Sequence, residues 1–171
     1  MQVLDLQAAG PVVLDLVTGL STLGNTLLGD IGGSMGSLYG TFFIDMAESL
    51  AGADTLDRAR CAAMLRAGLD AFCGLGDAKT GDKTLVDVLQ PAPEAFDGAM
   101  ARGENFAACL DAVKGAAAES LEATRGMVAR LGRAARLGER SRGHFGPGAA
   151  SCELLMRTLA DALAAHLEAP E

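Results

Sequence analysis

Residues 11–30, PVVLDLVTGLSTLGNTLLGD, decide the fold class of this chain. Their apolar side chains recur every three to four residues, the repeat of an amphipathic α-helix: Val13, Leu16, Val17, Leu20, Leu23, Leu27 and Leu28. Pro11 suits a first helical position, because the N–H that proline lacks has no partner there. We therefore predict a helix from about residue 11 to residue 30.

The same spacing recurs in five further segments, and no stretch shows the alternation that is typical of a strand. Asp54 or Thr55 is predicted to cap the third helix, and Pro91 and Pro93 predict a break in the fourth. A length of 171 residues without a visible linker or repeat predicts a single all-helical domain over residues 1–171. The five further helices are predicted at about residues 34–50, 55–72, 84–101, 104–131 and 149–167.

The composition favours close helix packing in a reducing compartment. Half of the residues are hydrophobic, but aromatic residues make up only 4% and Trp is absent, so the core consists mainly of small and aliphatic side chains. No apolar run is long enough to span a bilayer. We interpret the four cysteines as buried thiols of a cytoplasmic protein, because none forms a Cys-x-x-Cys pair: Cys61, Cys73, Cys109 and Cys152.

The charge is unevenly distributed along the chain. A formal net charge of −8 argues against nucleic acid and anionic membranes as partners. One segment is nevertheless basic, and it is either a solvated helix end or, since it continues into a Gly-rich loop, a source of local positive field. It contains Arg125, Arg130, Arg133, Arg136, Arg140 and Arg142.

Three glycine-containing segments have more polar character than a helical bundle requires. The first is Gly32–Gly40, GGSMGSLYG, directly before an apolar helix. Its glycines let backbone N–H groups approach an anion, and the helix dipole would favour that anion. The alternative is close contact between two helices through small residues.

The second segment is Gly81–Asp87, GDKTLVD. Its Gly, Lys and Thr resemble part of a P-loop, but the P-loop spacing and the preceding strand are missing. Asp82 or Thr84 could instead cap the next helix, with Lys83 solvated.

The third segment is Gly132–Ala149, GRAARLGERSRGHFGPGA. A loop rich in Arg and Gly at a helix boundary favours a phosphate clamp, since guanidinium groups pair with phosphate oxygens. His144 is either a ligand or base for that site or a hydrogen-bonded structural residue.

Taken together, the three segments resemble the L subunit of dihydroxyacetone kinases. Gly32–Thr41 is similar to that family's Gly-Gly-Ala-Ser-Gly-Pro-Leu-Tyr/Phe-Gly-Thr, and Gly81–Asp87 followed by Pro91 is similar to its Gly-Asp-Lys-Thr-x-x-Asp and Pro. Gly132–Ala149 is similar to its Gly-Arg-Ala-x-x-Leu-Gly-Glu-Arg-Ser-x-Gly-His-x-Asp-Pro-Gly-Ala. The resemblance covers roughly residues 20–163.

The resemblance implies an antiparallel helical barrel, with about six helices here and eight in the complete family, and loops that hold ADP or ATP at one end. It implies phosphoryl transfer to dihydroxyacetone or another short ketose on a partner K subunit. An M-type subunit of the phosphotransferase system would rephosphorylate the bound ADP in some bacteria.

The family's nucleotide contacts carry over to specific positions. Arg133 would be the catalytic, phosphate-facing arginine, and Gly76 and Leu85 would line the adenine side. Ser34 and Met35 would lie at the phosphates and ribose. Gly146, Pro147 and Gly148 would form the second nucleotide loop.

The chain also departs from the family pattern. The family's Asp-x-x-x-x-Asp-x-Asp-His-Gly motif, which holds two magnesium ions, has no counterpart before Gly32, where the carboxylates are Asp5, Asp15 and Asp30. Met35 replaces a serine and Gly146 an aspartate. The chain is then a truncated form, a divergent paralogue, or one that takes the aspartates from another chain. Alone it is expected to be inactive and to bind Mg-ADP weakly or not at all.

The alternative function is a catalytically silent helical domain that binds a partner or an apolar ligand. Missing N-terminal helices would expose apolar stripes, so we expect self-association, a helix rearrangement that closes the gap, or a bound lipid-like molecule. The predicted exposed residues are Val12, Val13, Leu16 and Leu20 with Leu155, Leu159 and Leu163.

Overall fold

A computed structural model describes residues 10–168, and the side chains in that range except those of residues 10–12, 14 and 168. Every regular element in this range is helical, which confirms the predicted fold class. The α-helices are α1 (Gly10–Asp30), α2 (Ser34–Ser49), α3 (Arg58–Gly74), α4 (Val86–Leu89), α5 (Pro91–Ala101), α6 (Phe106–Ala123) and α7 (Pro147–Glu168). Two 3₁₀ segments, Thr124–Gly126 and Arg133–Ser141, lie between α6 and α7.

The predicted break in the fourth helix is confirmed, but the predicted cap of the third is wrong. Gln90 separates α4 from α5, which begins at Pro91. The side chain that caps α3 is Asp57, whose Oδ1 accepts the N–H of Arg60 at 2.8 Å. Thr55 lies further upstream, and its carbonyl oxygen accepts a bond from the Arg60 guanidinium at 2.9 Å.

The predicted fifth helix ends too late. Asn105 caps its observed counterpart α6, because Asn105 Oδ1 accepts the N–H of Ala108 at 2.9 Å. α6 ends at Ala123, well before the predicted end at about residue 131. The buried Thr124 turns its hydroxyl back to donate to the carbonyl of Leu121 at 2.7 Å, and the chain leaves the helix through a 3₁₀ turn.

The described chain divides into two compact units, one up to Gly76 and one from Asp77 onward. The first contains α1–α3 and the second α4–α7. That residues 1–171 form a single domain stays a prediction.

In the first unit, α1 and α2 pack as an antiparallel pair through glycines. A Cβ on Gly24 would lie 2.8 Å from the carbonyl oxygen of Gly40, and a Cβ on Gly36 would lie 2.6 Å from that of Leu27. Since the later residue of α1 faces the earlier residue of α2, the helices run in opposite directions. The small-residue interpretation of the Gly32–Gly40 segment is therefore correct for Gly36 and Gly40.

In the second unit, α6 and α7 also run antiparallel. Lys114 on α6 pairs with Asp161 on α7 at 2.9 Å, whereas Thr124, just after α6, bonds to Gly146, just before α7. Phe96 of α5 and Phe106 of α6 are both buried and pack edge to face, with ring centroids 6.0 Å apart.

The predicted exposed stripes are wrong in part. Val13, Leu20 and Leu163 are buried rather than exposed. Exposed large apolar side chains near the start of the chain are instead Leu23, Leu28 and Ile31, towards the end of α1 and beyond it. The side chain of Val12 lies outside the described residues. Among the described residues, no helix combines the length and the apolar character needed to cross a bilayer.

The cysteines give a direct test of this packing. Cys73 is exposed, whereas Cys61, Cys109 and Cys152 are buried, and burial raises the pKa of the Cys152 thiol to about 12. In the native protein at pH 8, a thiol-reactive disulfide reagent is therefore expected to modify one cysteine quickly, because only an accessible thiolate reacts. Cys73→Ser should remove this fast phase. Two or more fast phases in the native protein would contradict the described packing.

Candidate functional site

The first segment forms a bare helix start in the first unit. Gly33 has a φ of +81° and precedes Ser34, the first residue of α2, and no side chain caps this end of the helix. The positions of Gly32 and Gly33 have open space where a Cβ would be, and Ser34 and Met35 are exposed. The N–H groups of the first turn therefore have no side-chain cap, and anion binding at this helix start stays a prediction.

The second segment is folded around a buried carboxylate in the second unit. Asp87 is 3% exposed, and its two carboxylate oxygens accept the N–H groups of Gly81 at 2.6 Å and Thr84 at 2.7 Å. The hydroxyl oxygen of Thr84 accepts the N–H of Val86, the first residue of α4, at 3.2 Å. Asp82 does not cap this helix, since its carboxylate accepts the N–H of Lys79 at 3.1 Å.

An Asp87→Asn variant tests the role of that carboxylate. An amide has one acceptor oxygen where the carboxylate has two, so one of the two N–H groups would lose its partner and face an NH₂ group. We expect the free energy of unfolding to fall by about 1.5–3 kcal/mol in urea titrations. Asp77→Asn, at an exposed position of the same unit, should leave it within about 0.5 kcal/mol of wild type. Equal stability of the two variants would refute the role of Asp87.

Lys83 is not the solvated side chain that one interpretation of the sequence expected. It is 4% exposed and has a φ of +61°, which is unusual for a residue other than glycine. Its ammonium group donates to the carbonyl oxygens of Met127 at 3.0 Å and Ser141 at 2.5 Å. Local sequence contains no signal for these bonds, because the partners lie 44 and 58 residues further along the chain.

The third segment is a turn-rich loop held by its own backbone and by Ser141. Gly138, with a φ of +53°, kinks the 3₁₀ segment, and its carbonyl accepts the Ser141 hydroxyl at 2.7 Å. The same hydroxyl oxygen accepts the N–H of Ala129 at 3.0 Å. Further on, the N–H of Gly143 donates to the carbonyl of Arg125 at 2.8 Å. The loop is therefore tied to the residues that follow α6.

The structure brings the second and third segments together. A Cβ on Gly146 would lie 3.2 Å from the carbonyl oxygen of Lys83, and a Cβ on Gly148 would lie 3.3 Å from the backbone nitrogen of Leu85. Pro147 stands between these glycines as the first residue of α7. Leu85 is buried against this loop. Four of the predicted nucleotide residues thus form one cluster: Leu85, Gly146, Pro147 and Gly148.

The basic segment is not the end of an α-helix, because its arginines lie in and around the 3₁₀ segments. Arg125 pairs with Glu122 at 3.1 Å and lies 4.1 Å from the ring centroid of Phe145. Arg133, Arg136 and Arg140 are exposed and make no ion pair within the described part of the chain. These guanidinium groups are available to an anionic ligand.

The other predicted site residues belong to the first unit. Ser34 and Met35 start α2, and Gly76 is exposed at the end of that unit. The convergence of all three loops at one end stays a prediction. Across residues 10–168 no three His, Cys, Asp or Glu side chains form a group suited to a metal ion, so these residues do not fit the two magnesium ions that the resemblance implies.

In this all-helical chain, the start of α2 has no side-chain cap, and Arg133, Arg136 and Arg140 are exposed. The chain belongs to the DAK2 domain family, whose model matches residues 6–161. This confirms the resemblance to the dihydroxyacetone kinase L subunit that the three motifs indicated.

Curated relatives support the same assignment. The chain is 38% identical over 152 residues to the ADP-binding subunit DhaL of a PEP-dependent dihydroxyacetone kinase from Escherichia coli, covering 88% of this chain and 72% of that protein. It is 34% identical to DhaL of a second such kinase from Listeria innocua, covering 87% and 68%. It is also 33% identical to a D-erythrulose kinase from Mycolicibacterium smegmatis, covering 83% of this chain and 24% of that longer protein.

Proposed function

We propose that this chain is the ADP- and ATP-binding L subunit of a dihydroxyacetone-type kinase, acting in the cytoplasm. The phosphoryl group would pass from the nucleotide to a hydroxyl oxygen of a short ketose that a partner K subunit holds. An M-type phosphotransferase-system subunit would be a further partner where the bound ADP is recharged. Support comes from relatives whose names include ADP-binding subunits and from the loop cluster at Gly146.

The observation that supports nucleotide binding best is the pairing of two sequence-distant loops. Gly81–Leu85 and Gly146–Gly148 are packed closely: a Cβ on Gly146 would lie 3.2 Å from the carbonyl oxygen of Lys83, and a Cβ on Gly148 would lie 3.3 Å from the backbone nitrogen of Leu85. Such packing fixes the positions of the two loops, which suits a site that must hold its ligand in one orientation. Arg133 would add a guanidinium group to the same loop system and offset phosphate charge.

Each residue would contribute binding and orientation rather than covalent chemistry. The α2 start at Ser34 and Met35 would direct backbone N–H groups at phosphate oxygens, and Gly76 would border the adenine. Leu85, which packs against Gly148, would line the adenine side of the site. Phosphoryl transfer depends chiefly on positioning and on stabilising charge, so Arg133 is the proposed catalytic residue.

A second candidate function is a catalytically silent domain that binds a partner or an apolar ligand. Two observations favour it: the described residues do not fit a magnesium pair, and apolar side chains are exposed around the α1–α2 connection. Self-association through this surface would make the chain a homo-oligomer. The exposed side chains are Leu23, Leu28, Ile31 and Met35.

Reconstitution with a dihydroxyacetone-binding K subunit separates the two functions. The kinase proposal expects that ketose phosphate forms from ATP only when this chain is present. Complex formation without any transfer, with ATP and magnesium in excess, would support the silent domain instead.

A further inference from the structure

Lys83 lies where three segments of the second unit meet. Its ammonium group bonds to the carbonyl of Met127, just after α6, and to the carbonyl of Ser141, at the end of the second 3₁₀ segment. Its own backbone carbonyl lies against Gly146, where a Cβ would be only 3.2 Å away. One side chain thus connects the Gly81–Asp87 segment to both sides of the arginine-rich loop.

Two buried hydroxyl groups complete these connections. Thr124 accepts the N–H of Gly146 at 3.1 Å while donating to the carbonyl of Leu121. Ser141 accepts the N–H of Ala129 at 3.0 Å. Lys83, Thr124 and Ser141 are all buried.

The charge of Lys83 is not matched by a carboxylate, since Lys83 forms no ion pair within residues 10–168. Burial, together with the nearby Arg142 guanidinium, lowers the pKa of Lys83. A buried ammonium group is costly, and an apolar residue of similar size generally contributes as much or more to stability. The burial of Lys83 is therefore better explained by the backbone segments that its ammonium group orders than by a gain in the free energy of unfolding.

We propose that Lys83 is a positioning residue of the nucleotide site, which sets the path of the Arg133–Gly148 loop through the carbonyls of Met127 and Ser141. Arg133 lies between these two carbonyls in sequence, and Gly146 follows them. Fixing both carbonyls fixes the loop that carries the Arg133 guanidinium, Gly146 and Gly148 at the proposed nucleotide site. This inference rests on the proposed ADP-binding function.

The test compares Lys83→Met with wild type in two measurements on the whole chain. Lys83→Met keeps the length of the side chain but removes the donors, so ADP affinity should fall about tenfold, the effect of losing roughly 1.4 kcal/mol of preorganisation. Hydrogen exchange of the Ala129, Gly143 and Gly146 amides should become faster. Lys114→Met, which removes an ion-paired lysine on α6, should change neither measurement.

Thr124 supplies a second pair of variants in case Lys83→Met folds poorly. Thr124→Val is isosteric but lacks the hydroxyl that accepts the Gly146 N–H, so it should lower ADP affinity and speed exchange at Gly146. Thr124→Ser retains the hydroxyl, so its ADP affinity and its exchange rate at Gly146 should both be close to those of wild type.

Several outcomes would overturn the proposal. One is unchanged exchange at the three amides with ADP affinity within twofold of wild type. Another is exchange that becomes equally faster throughout α5 and α6, which would make Lys83 a residue of general stability. A wild-type chain that binds no ADP would defeat the proposed function and the nucleotide part of this inference, whereas the exchange data would still decide whether Lys83 orders the loop.

Discussion

Replacing Arg133 with alanine is expected to weaken ADP binding about tenfold to a hundredfold. A hydrogen bond between charged groups contributes about 1.5–3 kcal/mol, and that loss corresponds to this range of affinity. Arg133 is exposed and forms no ion pair within the described chain. Its removal therefore deprives no carboxylate of a partner and should not alter folding. Calorimetric titration with ADP, at matched ionic strength, measures the change.

Arg157→Ala is the matched control for this variant. Arg157 is a half-exposed arginine on α7 that pairs with Glu153 at 3.1 Å, outside the proposed site. It should bind ADP as wild type does. Arg133→Lys should recover only part of the affinity, because an ammonium group lacks the fork of a guanidinium. Equal affinity of Arg133→Ala and Arg157→Ala would exclude Arg133 from the site.

A Gly36→Ala variant is expected to lower the free energy of unfolding by about 3 kcal/mol or more. The new Cβ would lie 1.9 Å from the carbonyl oxygen of Ile31 and 2.6 Å from that of Leu27, and both atoms belong to the backbone. A side-chain rotation cannot relieve such an overlap, so α1 and α2 would have to separate. Urea unfolding followed by far-UV circular dichroism gives the value.

Gly19→Ala is the opposite case in the same pair of helices. Nothing lies within 4 Å of its Cβ position in the middle of α1, so alanine should raise helix stability by up to about 1 kcal/mol. A Gly36→Ala variant that is as stable as wild type would contradict the described contact between α1 and α2.

Local periodicity predicted the helices, because each helix buries one apolar face. It failed where contacts between residues far apart in the sequence determine where a helix ends. The break at Gln90 follows from Pro91 in the sequence. The end of α6 could not be predicted in this way, because the hydroxyl oxygen of Thr124, just after α6, accepts the N–H of Gly146, which is 22 residues away in the sequence.

The candidate site shows the same division. Its glycines and arginines are visible as motifs, and the chemistry of an anion site follows from their composition. The burial of Lys83 could not be predicted, because lysine is normally exposed and its two acceptors are ordinary backbone carbonyls. The only local indication would have been Lys83 within a Gly-Asp-Lys-Thr turn, which is equally compatible with solvent exposure.

The most direct test of the central claim is a titration of the ¹⁵N-labelled chain with ADP, followed by nuclear magnetic resonance. The proposed function predicts saturable shifts of the amides of Ser34 and Met35 in the first unit and of Gly146 and Gly148 in the second. Binding should be weaker than about 1 µM and little improved by magnesium, since the described residues do not fit the metal pair. Amides that remain unshifted at millimolar ADP would contradict the claim that this chain is a nucleotide-binding subunit.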